Sequence, residues 1–200
     1  MRGFVAERDT GNTSEQYSGV VSVFVLCSKA KGVNTMRQEL QQGFQDQMQA
    51  ELASAYLYLA MAGFCAHRGF QGMSHWLRLQ WQEELKHALK FFDFLLERGV
   101  APQLRVLDQP PAQWESPQHL FEQVLAHEQR VTERIHELYR QAVELRDYPA
   151  QVFLHWFIEE QVEEENQARA VIEQLRLVGQ DPVGLYLVDQ RLGERKPEES

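Results

Sequence analysis

Apolar residues recur every three or four positions along four long segments, a spacing that predicts four amphipathic helices. Glycine ends several of these runs, and Ser116-Pro117 and Asp147-Tyr148-Pro149 have the pattern of an N-cap followed by an early helical proline. The predicted helices span about 37–67, 73–98, 117–146 and 147–178, with a short fifth helix over 183–192. The pattern therefore predicts an all-α protein.

The connections between the helices are short, long and short. Residues 99–117 hold Pro102, Pro110, Pro111 and Pro117 and have little periodicity, so they form an extended crossover between the second and third helices. At 1.5 Å per residue the long helices each extend about 40 Å. We expect an up-and-down four-helix bundle with one long crossover. The prolines also interrupt any heptad pattern, which argues against an extended coiled coil.

The two ends of the chain lack this pattern. We expect residues 1–35 to be a disordered N-terminal extension, or an upstream start that the natural message does not use. Residues 36–192 form the patterned domain, and the polar residues 193–200 are expected to be a flexible tail. No apolar run approaches the roughly 18–20 residues that a membrane span needs.

Each long helix carries one acid in the middle of its apolar stripe. These acids are Glu51, Glu84, Glu128 and Glu164, and the second helix adds His87 one turn after its glutamate. Each glutamate lies within about three residues of its helix midpoint, so antiparallel packing brings all four to one height. A buried carboxylate without a partner costs several kcal/mol, so the core needs cations. The donor set suits two iron-like ions.

Any one of these glutamates alone is better explained as a snorkelling or locally paired side chain. Four of them at a common height, with no lysine or arginine on the same stripes nearby, favour a metal site instead. A second acidic set surrounds Glu164. Glu160 and Glu163 flank it, and Glu83 precedes Glu84, so these residues suit an adjoining weaker cation site or a path inward, or a solvated helix face.

Composition narrows the partners and the compartment. The net charge of −9 and the pI near 5.3 argue against nucleic acid, which requires a basic face. Cys27 and Cys65 form no metal-binding or disulfide pattern, so both are expected to be reduced thiols in a cytoplasmic protein.

With these residues in view, the chain resembles bacterial non-haem ferritin over about residues 36–192. The resemblance rests on segments around the core acids and near the C-terminus. They read Gln49-Ala50-Glu51-Leu52, Glu83-Glu84-Leu85-Lys86-His87, His127-Glu128-Gln129, Glu160-Gln161-Val162-Glu163-Glu164-Glu165 and Gly184-Leu185-Tyr186-Leu187-Val188-Asp189. It implies a ferritin-like bundle whose fifth helix lines the fourfold axis of a 24-subunit shell.

The resemblance also implies individual roles. The first iron would be bound by Glu51, Glu84 and His87, and the second by Glu84, Glu128 and Glu164, with Glu84 bridging. Gln161 would contact a ligand or the substrate oxygen, and Tyr58 would hydrogen-bond a ligand or supply an electron, unless it is simply a core aromatic. A third iron site would comprise Glu83, Glu160, Glu163 and Glu164. Leu85 stands where bacterioferritins carry a haem-binding methionine, so no haem is expected.

The function implied is iron storage with ferroxidase activity. Fe(II) would be oxidised by O2 or H2O2 at a diiron site within each subunit, and the ferric oxide would be stored in the homo-oligomeric shell. Two alternatives stay open: a diiron oxidase or peroxidase without a storage role, and a structural shell subunit without catalysis.

Overall fold

The computed structural model describes residues 36–197. The predictions for residues 1–35, and for the last three residues of the tail, fall outside this range. The described residues form five helices and no strand. The helices are α1 (Gln38–His67), α2 (Gln71–Glu97), α3 (Pro117–Glu144), α4 (Tyr148–Val178) and α5 (Pro182–Leu192). The predicted all-α bundle with one long crossover between the second and third helices is confirmed.

The bundle is built from two helix pairs. α1 packs mainly on α2, α3 packs on α4, and α5 lies against α2 and α4. The crossover between α2 and α3 is extended and is held along α1 by polar side chains. Gln45 binds the backbone of Ala101 and Gln103, and Arg105 forms an ion pair with Asp46 at 2.7 Å. The two Gln45 bonds satisfy backbone groups that an extended segment would otherwise leave to water.

Three helices begin as their sequences predict. Ser116, Asp147 and Asp181 each accept a hydrogen bond from the backbone N–H three residues on, and proline follows within the first turn. α2 differs, because it begins at Gln71 rather than near Met73, and Gly72 lies inside its first turn. The chain reverses instead at Gly69, whose φ is +90°.

The start of α2 is capped from elsewhere in the chain. No side chain at its own N-cap, Phe70, forms a capping hydrogen bond. Instead the buried Asp189 of α5 accepts a hydrogen bond of 2.8 Å from the backbone N–H of Met73. α5 is therefore attached to the bundle by a helix-capping contact as well as by its apolar residues.

The core consists of two apolar clusters at opposite ends of the bundle. One contains Tyr58, Met61, Leu77, Phe121 and Val171, and the other contains Phe44, Phe91, Ile135, Leu138 and Phe157. Along each long helix the core glutamate falls between the residues that enter the two clusters. The fold thus encloses the acidic positions at mid-bundle, with apolar layers above and below.

Candidate metal centre

The predicted core acids are all buried. The exposed fractions are 1% for Glu51, Glu84 and Glu128, 2% for Glu164 and 4% for His87. Gln161 and Tyr58, the two other residues predicted at the site, are buried beside them. The apolar stripe of each helix therefore carries its glutamate inward rather than letting it extend to water.

His87 belongs to both of two groups of candidate metal ligands. Glu51, Glu84 and His87 offer ligand atoms that all lie within 4.8 Å of one another, and so do His87, Glu160 and Glu164. The distance from His87 Nδ1 to Glu84 Oε2 is 3.6 Å, and that from His87 Nε2 to Glu160 Oε1 is 3.8 Å. Both are longer than a hydrogen bond.

Two carboxylate oxygens in this centre have no hydrogen-bond partner. They are Oε2 of Glu51 and Oε2 of Glu84, and both are shielded from solvent. A buried acceptor without a partner is costly, whereas anionic oxygens beside an imidazole nitrogen are suitable ligands for iron. The residues present therefore fit a bound metal ion.

Carboxylate oxygens of Glu51, Glu128 and Glu164 are oriented by amide and hydroxyl groups. Gln47 donates to Glu51 at 2.8 Å, and Gln80 donates to Glu164 at 2.6 Å. Glu128 accepts from the Tyr58 hydroxyl and, at 3.2 Å, from Gln161 Nε2. Such outer contacts fix the rotamers of ligands and tune their basicity.

Two arginines extend this network. Arg134 donates to Gln47 Oε1 at 3.0 Å, and Arg195 donates to Gln80 Oε1. Each guanidinium thus orients a glutamine whose amide N–H groups face a core carboxylate. Periodicity identifies neither arginine, because both join the site through a glutamine rather than from an apolar stripe.

Glu83 lies beside this network and is paired with Arg195. Its side chain is 4% exposed, and its Oε2 accepts from Arg195 Nη2 at 2.8 Å. Arg195 follows α5, in the part of the chain predicted to be a flexible tail. The sequence offers one signal for this pair, because a buried Glu83 requires a cation nearby. That signal does not identify which arginine supplies the cation.

The four residues predicted for a third iron site are only partly brought together. Glu160 and Glu164 lie within reach of a common ion together with His87, as described above. Glu163 is exposed and accepts a hydrogen bond from Gln167 at 3.1 Å. Glu83 is engaged by Arg195. The roles assigned to single residues remain predictions.

Burial shifts the protonation equilibria of the carboxyl groups in this centre. It raises the pKa of Glu84 and of Glu164 well above the usual range, and neighbouring carboxylates, Glu128 among them, add to both shifts. Burial also raises the pKa of Glu128 to about 7, although hydrogen bonds from Tyr58 and Gln161 oppose the shift.

His87 responds to both its burial and its acidic neighbours. Burial lowers the pKa of the imidazole, but Glu160 and Glu84 outweigh that effect and raise the pKa well above its usual value. The centre thus takes up protons where it lacks cations, and a metal ion would have to displace them.

Both the family comparison and the sequence relatives match this chain to ferritins. The model of the ferritin-like domain family matches residues 41–178. "Bacterial non-heme ferritin" of Escherichia coli O6:H1 is 36% identical over 157 residues, covering 78% of this chain and 95% of the relative. The protein of the same name from Bacteroides fragilis strain 638R is 34% identical over 158 residues, covering 79% and 98%.

Solved structures agree with the sequence relatives. An open pore ferritin from the archaeon Archaeoglobus fulgidus superposes with a TM-score of 0.80 at 44% identity. The match covers 81% of this chain and the whole of that one.

Proposed function

Because the chain belongs to the ferritin family, we propose that it stores iron and oxidises Fe(II) to Fe(III) with O2 at a dinuclear site inside each subunit. The ferric product is then kept as an oxide mineral within a shell of identical subunits. The observation that carries this proposal is the buried centre around His87, with two carboxylate oxygens that lack hydrogen-bond partners.

The chemistry follows from the donor set. Glu51, Glu84 and His87 would hold one Fe(II), and Glu84, Glu128 and Glu164 the other, with Glu84 shared. Each Fe(II) gives up one electron, and O2 takes both electrons with two protons to leave as H2O2. Anionic oxygen ligands stabilise Fe(III) more than Fe(II), because the higher charge gains more from them, so the site favours oxidation.

The hydrogen-bonding side chains have supporting roles in this reaction. Tyr58 and Gln161 both donate to Glu128 and would hold it in the orientation that faces the second iron. Gln161 would also contact an oxygen species bound at the site. Glu160, which shares a potential ion position with His87 and Glu164, would receive iron on its way inward.

The shell is proposed to contain about 24 subunits. Its support in this chain is a set of large apolar side chains that the isolated subunit exposes, on the crossover and around α5. They include Leu104, Val106, Leu177, Val183, Tyr186 and Leu187. Apolar surface of this extent is typical of protein interfaces. No helix in residues 36–197 is long and apolar enough to cross a membrane, and we propose a cytoplasmic location.

The deciding experiment adds two Fe(II) per subunit to the ion-free protein without oxygen, then admits O2. Oxygen consumption and absorbance are followed, and the particle mass is measured by light scattering. Fast oxidation by a particle of about 24 chains supports a catalytic ferritin. Fast oxidation by a small oligomer would indicate a diiron oxidase, and a large shell without fast oxidation would indicate a non-catalytic subunit.

The Glu84→Ala variant tests the ligand assignment. It removes the carboxylate shared by both ions, so rapid oxidation should be lost while assembly is retained. Glu97→Ala is the matched control, because Glu97 is an exposed glutamate at the end of the same helix. Unchanged oxidation by Glu84→Ala would refute the assignment.

A further inference from the structure

Arg195 places a positive charge beside the acidic centre. Its guanidinium donates to the carboxylate of Glu83 at 2.8 Å and to the amide oxygen of Gln80. We infer that Arg195 occupies the cation position next to Glu83 and thereby keeps a third metal ion from binding there. The inference rests on the proposed function and concerns the number of ions that each subunit holds.

Several contacts fix Arg195 at this position. Its guanidinium carbon lies 4.9 Å from the ring centroid of Trp76, and its backbone oxygen is 2.9 Å from His75 Nε2. Only 15% of its side chain is exposed. The Arg195 guanidinium lies over the ring of Trp76 and donates to two acceptors, so its side chain is already held in one conformation. Pairing with Glu83 therefore costs the arginine little conformational entropy. The contact with Glu83 is therefore part of the packed structure rather than a loose surface pair.

The pairing competes directly with a metal. Glu83 is buried, and one of its oxygens already accepts a charge-assisted hydrogen bond. A divalent ion bound to Glu83 would either lie close to the guanidinium, where like charges repel strongly in a site away from water, or displace it and leave Arg195 without its partner. Both routes weaken binding at this position.

Gln80 connects the same arginine to the dinuclear site. Its amide oxygen accepts from Arg195, so its N–H group points to Oε2 of Glu164 at 2.6 Å. Glu164 belongs both to the dinuclear set and to the acidic set beyond it. While this hydrogen bond is present, one oxygen of Glu164 is oriented by Gln80 and is less available to an ion on the Glu83 side. Arg195 thus restrains two of the carboxylates that a third ion would need.

The test measures the number of metal ions bound per subunit rather than the rate of oxidation. Calorimetric titration of the assembled, ion-free protein with Co(II), in the absence of oxygen, should show two tight ions per subunit. Arg195→Gln keeps the hydrogen-bonding shape without the charge and should add a third ion, bound at least about tenfold more tightly than in the unaltered chain. Arg195→Lys restores the positive charge and should return the number of tightly bound ions per subunit to two. Arg191→Gln removes an exposed arginine of α5 and should change nothing.

The double variant Arg195→Gln/Glu83→Gln completes the test. It should lose the third ion, because the carboxylate that binds it is gone. Two ions in both the unaltered chain and Arg195→Gln would overturn this inference and leave the proposed function intact. Three tight ions in the unaltered chain would also overturn it. Absence of any tight ion would refute the proposed function, and the inference with it.

Discussion

Burying several carboxylates close together is unfavourable while they are charged. Protein without bound metal lowers this cost by binding protons. Glu128 has a pKa raised to about 7, mainly by burial, and burial also raises the pKa values of Glu84 and Glu164 well above their usual range. Bound metal ions lower the same cost by compensating the negative charge of the carboxylates. The ion-free and loaded forms should therefore respond to pH in opposite directions.

The ion-free protein should lose stability as pH rises from about 4.5 to about 7. In this range Glu128 is ionised in the unfolded chain but protonated in the folded one, so the folded state binds more protons and deprotonation favours unfolding. The loss from Glu128 alone is about 3 kcal/mol. His87, whose folded pKa is also raised, contributes stability that is lost in the same direction. Chemical unfolding at several pH values measures the slope.

Glu128→Gln removes this titration and should flatten the slope, whereas Glu133→Gln, at an exposed position of the same helix, should preserve it. In the presence of Co(II) the direction should reverse, because ligands must lose their protons to bind the ion. Ion-free protein that grows more stable from pH 5 to 7 would contradict the account.

Tyr58 should set the pH at which the metal binds. Its hydroxyl donates to Glu128 and favours the ionised carboxylate. In Tyr58→Phe the proton on Glu128 is harder to displace, so the midpoint of Co(II) binding should move up by about one pH unit. Tyr56→Phe, at an exposed residue of the same helix, is the matched control. An unchanged midpoint would mean that Tyr58 serves only as a core aromatic.

At the scale of elements, the attachment of α5 depends on a close approach of two backbones. A Cβ added to Gly72 would lie 1.6 Å from the backbone oxygen of Asp189, so α5 could not keep its position. The same aspartate caps α2 through Met73. This contact explains why a glycine is accommodated within the first turn of a helix, where it otherwise costs stability.

Gly72→Ala should therefore destabilise the protein by about 1–3 kcal/mol, because a packed element must shift. Gly63→Ala is the control, since a Cβ there meets nothing within 4 Å on the helical α1, and it should stabilise by about 0.5–1 kcal/mol. Thermal unfolding distinguishes the two. Equal effects at both glycines would show that α5 adapts freely.

Local signals explain why most of the helical fold was predictable. Periodic stripes, N-cap residues and prolines mark the start of α3, α4 and α5, and these signals involve only neighbours in sequence. The start of α2 was predicted two residues late because its cap, Asp189, lies more than a hundred positions away. No local pattern encodes such a contact.

The same distinction applies to the candidate site. Glu51, Glu84, Glu128 and Glu164 were predictable because a charge on an apolar stripe has to enter the core. Arg134 and Arg195 were not, because each reaches the site through the side chain of a glutamine on another element. Which acids a third ion would use likewise depends on side-chain pairing, as Glu83 shows.

At the scale of the whole molecule, the dinuclear site and the assembly should be separable. The candidate ligands come from α2 with α1, α3 and α4 of one chain, and all lie inside the bundle. Many apolar residues stay on the surface of the single subunit instead, among them Leu104 and Val106 on the crossover and Tyr186 and Leu187 on α5. A subunit removed from the shell should therefore still bind ions, although it would have no enclosed space in which to store mineral.

Val106→Asp should disrupt the assembly without disturbing the site. Val106 is 93% exposed in the single subunit, so a carboxylate there is harmless to the fold, but it costs several kcal/mol wherever a neighbouring subunit covers it. Light scattering should show particles much smaller than the unaltered shell, while two Co(II) per subunit are still bound. Gln109→Asp adds the same charge at an exposed polar residue of the crossover and should leave the mass unchanged. A full-sized particle from Val106→Asp would show that the crossover faces solvent in the shell, and the subunit contacts would then have to come from the helices alone.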